Sequence, residues 1–207
     1  MKQIATSQND KPFLDFLTTH VSFHNTMVDR ITSARPNSNG LVPRAEPIPA
    51  KALVIQDLEE TLSPEWSVPE IAKWGVVIRR LKGQLEGDIA LKLRVANGTH
   101  TAIAHVMALM KLLTTEDLSK TDSGSILMAY LDSIFKEQIL VAGEESYGRE
   151  ETEAVYQDWR KRLVHAHFGL STFFITQNGA AKGGIRISPT VRDLFKHSKV
   201  SFCFIRF

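Results

Sequence analysis

The chain has 207 residues, a length that suits one domain or one and a half. It is 43% hydrophobic and 23% charged, the ordinary mixture of a protein that buries a core. The net charge of +2 gives no reason to expect nucleic acid or an anionic membrane as partner. The start lacks the apolar core of a signal peptide, no apolar run reaches the roughly 20 residues that span a bilayer, and Cys203 is a lone cysteine. We therefore expect a cytoplasmic protein without a disulfide framework.

The N-terminal part combines short strand-like runs with a loop. A short amphipathic helix begins at Phe13, "HVSF" is typical of a strand end, and "ARPNSNGLVPRAEPIPAK" predicts a loop or a domain boundary. "ALVIQDL" predicts another short strand. Because an isolated pair of strands is marginal in water, these strands are too few to form a sheet of their own.

From Ser67 onward the spacing of apolar residues predicts helices, beginning with "SVPEIAKWGVVIRRL". Helical stripes follow in "THTAIAHVMALMKLL", "SGSILMAYLDSIFKEQILVAG" and "EETEAVYQDWRKRLVHAHF", and we interpret their apolar residues as core, including Ile126. "FGLSTFFITQNGAAKGGIRISP" breaks the pattern, and "SPTVRDLFK" predicts the first turns of another helix. The predicted fold class is mostly α, with a short α/β part at the N-terminus.

The stretch "KLRVANGTH" holds three polar residues that can perform chemistry. At about 100° per residue on a helix, Lys92, Asn97 and His100 fall within an arc of roughly 140°, so all three could face one small ligand. A lysine in a confined site can transfer a proton, an asparagine amide can stabilise a developing negative charge, and a histidine can orient the lysine. Gly98 would let a substrate approach the backbone closely. In the alternative interpretation, Asn97 and Gly98 form a turn and Lys92 is solvated.

Two further stretches carry polar residues in suggestive places. "HNTMVDRIT" follows a predicted strand, where ligands of α/β folds bind. Alternatively, Asp29 and Arg30 form a structural ion pair and Asn25 begins a turn. "QNGAAKGGIR" is either a flexible loop that lends Lys182 to a polyhydroxylated substrate or a plain surface loop. It matches neither the P-loop nor the dinucleotide-binding glycine pattern.

The histidine pairs do not predict a metal site. His20 and His24 have a four-residue spacing that suits helical metal ligands, but the residues between them indicate a strand and no carboxylate motif completes the set. His165 and His167 diverge on a helix. We therefore expect no metal cofactor.

Taken together, these stretches resemble the mannitol dehydrogenase family, the zinc-independent, polyol-specific long-chain dehydrogenases. "FHNTMVDRIT" resembles the family signature F-x-N-S/T-M-V-D-R-I-T, and "KLRVANGTHTAIAH" resembles the active-site motif K-x-R-x-x-N-G-x-H. "ITQNGAAKGGIRISPT" is similar to a later substrate loop with S-x-K, which a proline follows. The resemblance extends from about Pro12 to Phe195, in the family's order and rough spacing.

The resemblance implies reversible hydride transfer between NAD(H), or NADP(H), and a polyol or sugar-acid alcohol, giving a ketose or keto-acid. It implies Lys92 as the general acid/base, with Asn97 and Asn25 polarising the substrate oxygen and Asn25 near the nicotinamide. His100 would position the substrate and the lysine, and Lys182 would hold a distal hydroxyl or carboxylate. Without a metal, an ammonium and two amides must supply the electrostatic stabilisation.

The chain departs from the family at two substrate positions. Phe174 stands where an arginine often precedes the loop lysine by eight residues, and Ile89, beside Asp88, stands where a glutamate often precedes the catalytic lysine by three. "VANGTHT" is closer to the tagaturonate and fructuronate reductase branch. The two departures disfavour mannitol itself as the substrate, and the similarity to this branch makes a uronate-derived substrate an open choice.

Length is the larger departure. Family members hold the cofactor mainly in an N-terminal Rossmann domain, which needs on the order of 100–150 residues. We therefore expect a fragment: residues 1–45 as the tail of an NAD-binding Rossmann-like domain, 46–196 as an incomplete helical substrate domain, and 197–207 as an atypical tail. The face left by the missing domain would expose an apolar patch that favours aggregation or a protein partner.

Three functions are consistent with these patterns. The first is an NAD-dependent oxidoreductase that acts on a small polyol, ketose or sugar acid. The second is a non-catalytic remnant that binds a sugar or a partner, which sugar binding without NADH would indicate. The third is a structural helical module, which a Lys92→Ala change without effect on any ligand assay would indicate.

Overall fold

The computed structural model describes residues 1–33 and 44–196. Residues 34–43, in the predicted loop, and 197–207, the predicted atypical tail, lie outside the described residues. Helices make up most of the described chain, so the predicted mostly α fold class is confirmed. The helices are α1 (Lys2–Ser7), α2 (Lys11–Thr19), α3 (Pro69–Ala72), α4 (Gln84–Lys92), α5 (Gly98–Leu109), α6 (Asp117–Lys120), α7 (Asp122–Ile134), α8 (Leu140–Tyr147), α9 (Arg149–Leu163), α10 (Thr172–Thr176), α11 (Gly179–Arg186) and α12 (Ser188–Lys196). The strands are β1 (Thr26–Val28), β2 (Thr32–Ser33), β3 (Arg44–Ala45), β4 (Leu53–Gln56) and β5 (Val76–Arg79).

Three strands form a small mixed sheet in the order β1-β4-β5, and β2 pairs with β3 beside it. β4 runs antiparallel to β1 and parallel to β5, with Val54 opposite both Met27 and Val77. The expectation that the strands were too few for a sheet is therefore wrong, because β5 supplies a third strand. The strand expected at "HVSF" lies further along, at β1, where Met27 is buried and its two neighbours are exposed.

The segment "GVVIR" was predicted as helix and is instead β5. Gly75 has φ of 73°, and a Cβ at this position would lie 2.3 Å from the carbonyl oxygen of Pro49, so only glycine fits between the two segments. The β-branched residues that follow favour a buried strand. A short 3-10 turn, Pro64–Ser67, and the one-turn helix α3 take the place of the long helix that the pattern predicted.

The helical body packs around the side chains of α5, α7 and α9. Trp159 lies at its centre, with its ring edge against Phe168 and its indole N–H donating to the hydroxyl of Thr99 at 2.9 Å. Ile103 and Leu131 are fully buried in the same cluster. Ile126, predicted as core, is 67% exposed, because the apolar stripe of α7 is narrower than the sequence pattern indicated.

Two long helices each contain a π-helical turn. Leu93–Asn97 joins α4 to α5, and Phe135–Ile139 joins α7 to α8. The two turns lie against each other in a second apolar cluster, in which the Phe135 ring stacks on that of Tyr156 with centroids 3.7 Å apart. A π turn inserts an extra residue into a helix, and such insertions are frequent at functional sites.

Both interpretations of "QNGAAKGGIR" as a loop are wrong, because most of the stretch forms α11. Asn178, in the left-handed conformation with φ of 55°, directly precedes this helix. α11 packs on α5 and on the first π turn. The final helix predicted at "SPTVRDLFK" is confirmed as α12.

A buried arginine joins the segment around the sheet to the helical body. Arg162 of α9 donates to Asp29 at 2.8 Å, to Glu46 at 2.9 Å and to Asp158 at 3.0 Å. The other oxygen of Glu46 accepts the backbone N–H of Ile31 at 2.8 Å. Burial lowers the pKa of Arg162, but the three carboxylates outweigh burial and raise it.

Large apolar side chains remain exposed, mostly near the N-terminal part and around α10. The side chains that are more than half exposed are Met1, Ile4, Phe16, Phe23, Val28, Trp74, Leu81, Leu109, Leu113, Ile126, Phe173, Phe174, Ile185 and Phe195. In the part of the chain that the structure describes, no helix is both long and apolar enough to cross a membrane.

Replacing Arg162 with alanine should lower the free energy of unfolding by about 3–5 kcal/mol, because it leaves buried carboxylates without a partner. Chemical denaturation near neutral pH measures this loss. The control is Lys120→Ala, which breaks the exposed pair with Glu116 and should cost about 0.5 kcal/mol or less. A loss for Arg162→Ala no larger than that of the control would show that the buried network does not join the two parts.

Candidate functional site

Lys92, the last residue of α4, reaches across to the end of β1. Its ammonium donates to the carbonyl oxygen of Val28 at 2.7 Å and lies 3.2 Å from a carboxylate oxygen of Asp29. Because the side chain is only 24% exposed and its ammonium is paired, the interpretation of Lys92 as a solvated surface residue is wrong.

A cleft of about 120 Å³ lies beside this lysine. Its walls combine apolar side chains with charged groups, and its lining includes Met27, Asp29, Lys51, Asp88, Leu91, Lys92, Ala96, Val155, Asp158 and Arg162. The same Asp29 that contacts Lys92 is held from the other side by Arg162. The lysine is thus fixed by a carboxylate that is itself fixed by a buried guanidinium.

The π turn changes how Lys92 and His100 are arranged. Its i→i+5 hydrogen bonds reduce the rotation per residue, so eight residues come closer to two full turns than in an ideal α-helix. The two side chains therefore lie nearer to one face than the sequence analysis assumed. Lys92, Lys182 and Arg186 are all close enough to His100 for their charges to oppose its protonation.

His100 is buried and neutral. Its ring lies 5.4 Å from that of Trp159, and burial, followed by the charges of Arg186, Lys182 and Lys92, lowers its pKa to about 3. Arg186 approaches its Nε2 atom at 3.3 Å. Because arginine is only a donor, Nε2 must accept, and the proton lies on Nδ1. The buried Nδ1 has no hydrogen-bond partner in the described chain.

Lys182 and Arg186 both extend from α11. The ammonium of Lys182 donates to the carbonyl oxygens of Phe174 at 3.1 Å and Ile175 at 2.9 Å, which satisfies the end of α10. Arg186 donates to the hydroxyl of Thr101 at 3.0 Å. Sequence reasoning did not single out Arg186, and its four-residue spacing from Lys182 becomes a signal only once the segment is known to be helical.

Asn97 and Gly98 do not form the turn of the alternative interpretation, because both lie within the continuous helix. Asn97 ends the π turn and is half-buried. Gly98 is buried, and a Cβ there would lie 3.0 Å from the carbonyl oxygen of Arg186. The expected role of Gly98, close approach of a substrate, is therefore wrong: the backbone of α11 occupies that side.

Asn25 lies in a different cleft from Lys92. It is exposed and donates to Oε1 of Gln56 at 3.2 Å, in a polar cleft that His24 and Asp57 also line, at the carboxyl end of β4. Three residues of strand, about 10 Å, separate Asn25 from the carbonyl that Lys92 contacts. Its catalytic and nicotinamide-binding roles stay predictions.

Asp29 and Arg30 do not pair with each other. Asp29 pairs with Lys92 and Arg162, whereas Arg30 donates to the backbone oxygen of Glu46 at 3.3 Å. The structural ion pair of the alternative interpretation is therefore wrong. Asp29 is the charged residue of this stretch that lies at the candidate site.

The structure also shows where the two positions that differ from the family pattern lie. Asp88 is buried in a two-pronged contact with Arg79, at 2.7 and 3.0 Å, and lines the Lys92 cleft. Ile89 packs instead with Met27 under the sheet. Phe174 is 60% exposed, and its ring lies 5.5 Å from the ammonium of Lys182.

Within residues 1–33 and 44–196, no group of three or more metal-ligating side chains comes together.

The arrangement can move a proton and bind a polar ligand. A fixed ammonium can donate to a developing alkoxide in the cleft, and a buried neutral imidazole with an unpartnered N–H can bind a hydroxyl. Arg186 of α11 contacts the same imidazole, and the charge of Lys182 reaches it. These groups suit a small, hydroxyl-rich or anionic molecule.

No protein-family model and no curated protein matches the chain. Among solved structures it matches a mannitol 2-dehydrogenase from Pseudomonas fluorescens, solved as a ternary complex with NAD and D-mannitol. The two share a fold. The TM-score is 0.52 and the sequence identity 17%, over 93% of this chain and 39% of the dehydrogenase. This chain therefore spans well under half the length of that enzyme.

The burial of neutral His100 should make the fold sensitive to acid. Its folded pKa is about 3 against an ordinary 6.5, so between these values the unfolded chain binds a proton that the folded chain does not. The contribution of neutral His100 to the free energy of unfolding is complete above about pH 6.5, and it falls as the pH decreases toward about 3. Denaturation of the native chain and of His100→Gln across this range should show a steeper loss in the native chain. If the free energy of unfolding falls equally with pH in the native chain and in His100→Gln, His100 is not buried in its neutral form.

Proposed function

We propose that this chain belongs to an NAD- or NADP-dependent oxidoreductase that interconverts a polyol or sugar-acid alcohol with its ketose or keto-acid. The observation that carries the proposal is the ammonium of Lys92, held between the Val28 carbonyl and Asp29 in a cleft close to His100. A fixed, partly desolvated ammonium at this place suits proton transfer to a substrate oxygen. The fold similarity and the motif resemblance support hydride transfer as the partner reaction.

In the reductive direction, Lys92 donates a proton to the carbonyl oxygen as a hydride adds to the carbon. The C=O double bond becomes a C–OH single bond, and the neutral amine regains its proton from solvent through the open cleft. Oxidation of the alcohol reverses both steps. Asp29 orients the lysine throughout, and Asn97, the last residue of the π turn, is proposed to donate to the same oxygen.

A nicotinamide supplies the hydride when it is bound. Asn25, which the resemblance implies near the nicotinamide, lies in the separate cleft, and the sequence has no G-x-G-x-x-G turn. The geometry of the described residues therefore supports the proton-transfer half of the reaction. We also propose that residues 1–45 are the tail of the cofactor-binding domain and that residues 46–196 form the substrate domain.

The direct test is NADH or NADPH oxidation by the purified chain with D-fructose or D-tagaturonate. Lys92→Ala should reduce the rate by about 100-fold or more, the usual contribution of a general acid. Lys92→Arg is the matched variant, because it keeps the charge and the ion pair with Asp29 but cannot release a proton near neutral pH. It should fold like the native chain and lose as much activity.

Other outcomes separate the alternatives. Sugar binding without any cofactor oxidation would favour the non-catalytic, sugar-binding remnant. A structural module would show neither sugar binding nor cofactor oxidation. Lys92→Ala would then be indistinguishable from the native chain in every ligand assay. Full activity of Lys92→Arg would remove Lys92 from the proton-transfer role.

A further inference from the structure

The cleft beside Lys92 is bounded at its outer end by an exposed ion pair. One wall of the cleft is a face of α9, on which Glu151, Asp158 and Arg162 lie at helical spacing. Glu151 and Arg162 are about 16 Å apart along this helix, so the cleft is long and narrow. Arg162 is buried at the inner end, whereas Glu151 is 47% exposed at the outer end and pairs there with Lys51, from the segment before β4.

The two ends of the cleft are held by contacts of very different strength. At the inner end, buried Arg162 joins α9 to Asp29 and Glu46, and removing one partner from such a buried network is strongly destabilising. At the outer end, water reaches both Glu151 and Lys51, and an ion pair in contact with water contributes little to stability. The sheet segment and α9 should therefore separate first at the outer end.

Opening the outer end leaves no buried charge without a partner. Lys51 also donates to Asp88 at 2.6 Å, but Asp88 is held independently by the guanidinium of Arg79 at 2.7 and 3.0 Å. Glu151 loses only its contact with Lys51, and nearly half of its side chain already faces water. The pair of Lys51 and Glu151 can therefore separate at a small cost.

A second cavity, an open groove of about 370 Å³, lies directly outside this ion pair. The groove and the cleft share the lining residues Lys51, Asp88, Leu91 and Glu151, which therefore form the partition between them. The cleft beside Lys92 has only about 120 Å³, whereas sites for small molecules typically have roughly 300–1,000 Å³. The cleft is too small alone, and the two cavities together fall within that range.

We propose that Lys51 and Glu151 form a latch. When the latch opens, the outer groove joins the cleft, and a molecule of the size of a six-carbon sugar reaches Lys92 from the N-terminal end of α9. Water reaches the ammonium even when the latch is closed, because the Lys92 side chain is 24% exposed. The inference rests on the proposed function only for the identity of the molecule that enters, since the route follows from the cavities and the ion pair.

The test measures how fast Lys92 is acetylated, which requires neither a cofactor nor catalysis. The reagent is N-acetoxysuccinimide, a neutral amine-reactive ester similar in size to a six-carbon polyol, and peptide mass spectrometry follows each lysine of the full chain separately. Glu151→Gln keeps the shape of the side chain and removes its charge. It should accelerate acetylation of Lys92 about 2- to 5-fold, the factor that corresponds to the strength of a partly exposed ion pair.

Two controls separate opening of the latch from loosening of the whole fold. Glu153→Gln removes a similarly exposed carboxylate from the same helix, where it pairs with Arg149 away from the cleft, and it should leave acetylation of Lys92 unchanged. Lys182, which two backbone carbonyls hold at the end of α10, is the internal reference, and its acetylation should be the same in every variant.

Two further measurements examine the same contact from other directions. Lys51→Met removes the other half of the latch and should accelerate acetylation of Lys92 by the same factor. The double variant with Glu151→Gln should add nothing, because both changes break one contact. In the native chain, about 1 M NaCl should accelerate acetylation of Lys92 relative to Lys182, since salt screens exposed charges. This last comparison needs no variant, so it stands even if a variant unfolds.

The results separate this inference from the proposed function. Equal acetylation of Lys92 in the native chain and in Glu151→Gln would overturn the latch, because the reagent would then reach Lys92 by another route. Equal acceleration by Glu153→Gln would also overturn it. A latch effect in a chain that oxidises no reduced cofactor would support the latch and contradict the oxidoreductase. Cofactor oxidation that depends on Lys92, with acetylation unchanged by Glu151→Gln, would support the oxidoreductase and overturn the latch.

Discussion

The buried guanidinium of Arg162 is the contact on which the rest of the structure depends. Three carboxylates surround it, two from the segment around the sheet and one from its own helix. Removing four charges from water is expensive, and the cost is offset only when every partner is in place. Arg162 thereby holds the Asp29 side chain in place, and Asp29 in turn holds the ammonium of Lys92. One ionic cluster therefore determines how the sheet segment packs on the helices and where the candidate proton donor lies.

The π turn between α4 and α5 is the second constraint. It lies between Lys92 and His100, and its shape is held by apolar contacts with the other π turn of the helical body. Gly98 lets α11 approach closely at the end of the turn, which brings Arg186 to the ring of His100. The turn thereby determines how Lys92 and His100 lie relative to each other.

Helices and strands with regular apolar spacing were predicted correctly from the sequence. The prediction was wrong where a few residues changed the local backbone geometry. The α12 helix and the strand at β4 follow directly from their patterns. β5 was missed because a helical interpretation of "SVPEIAKWGVVIRRL" ignored Gly75, which must adopt a positive φ. Arg186 was missed because glycines made α11 look like a loop. Asp29 was considered, but its pairing with Arg162 could not be predicted, because the two residues are more than a hundred residues apart in the chain.

The most direct measurement of the central claim is isotope transfer from a nicotinamide deuterated at its reactive carbon. The native chain is incubated with this cofactor and D-tagaturonate, and the sugar acid is analysed by mass spectrometry. The account predicts carbon-bound deuterium in the reduced sugar acid, and none above the blank when Lys92→Arg replaces the native chain. An unlabelled product from the native chain, or equal labelling by Lys92→Arg, would contradict it.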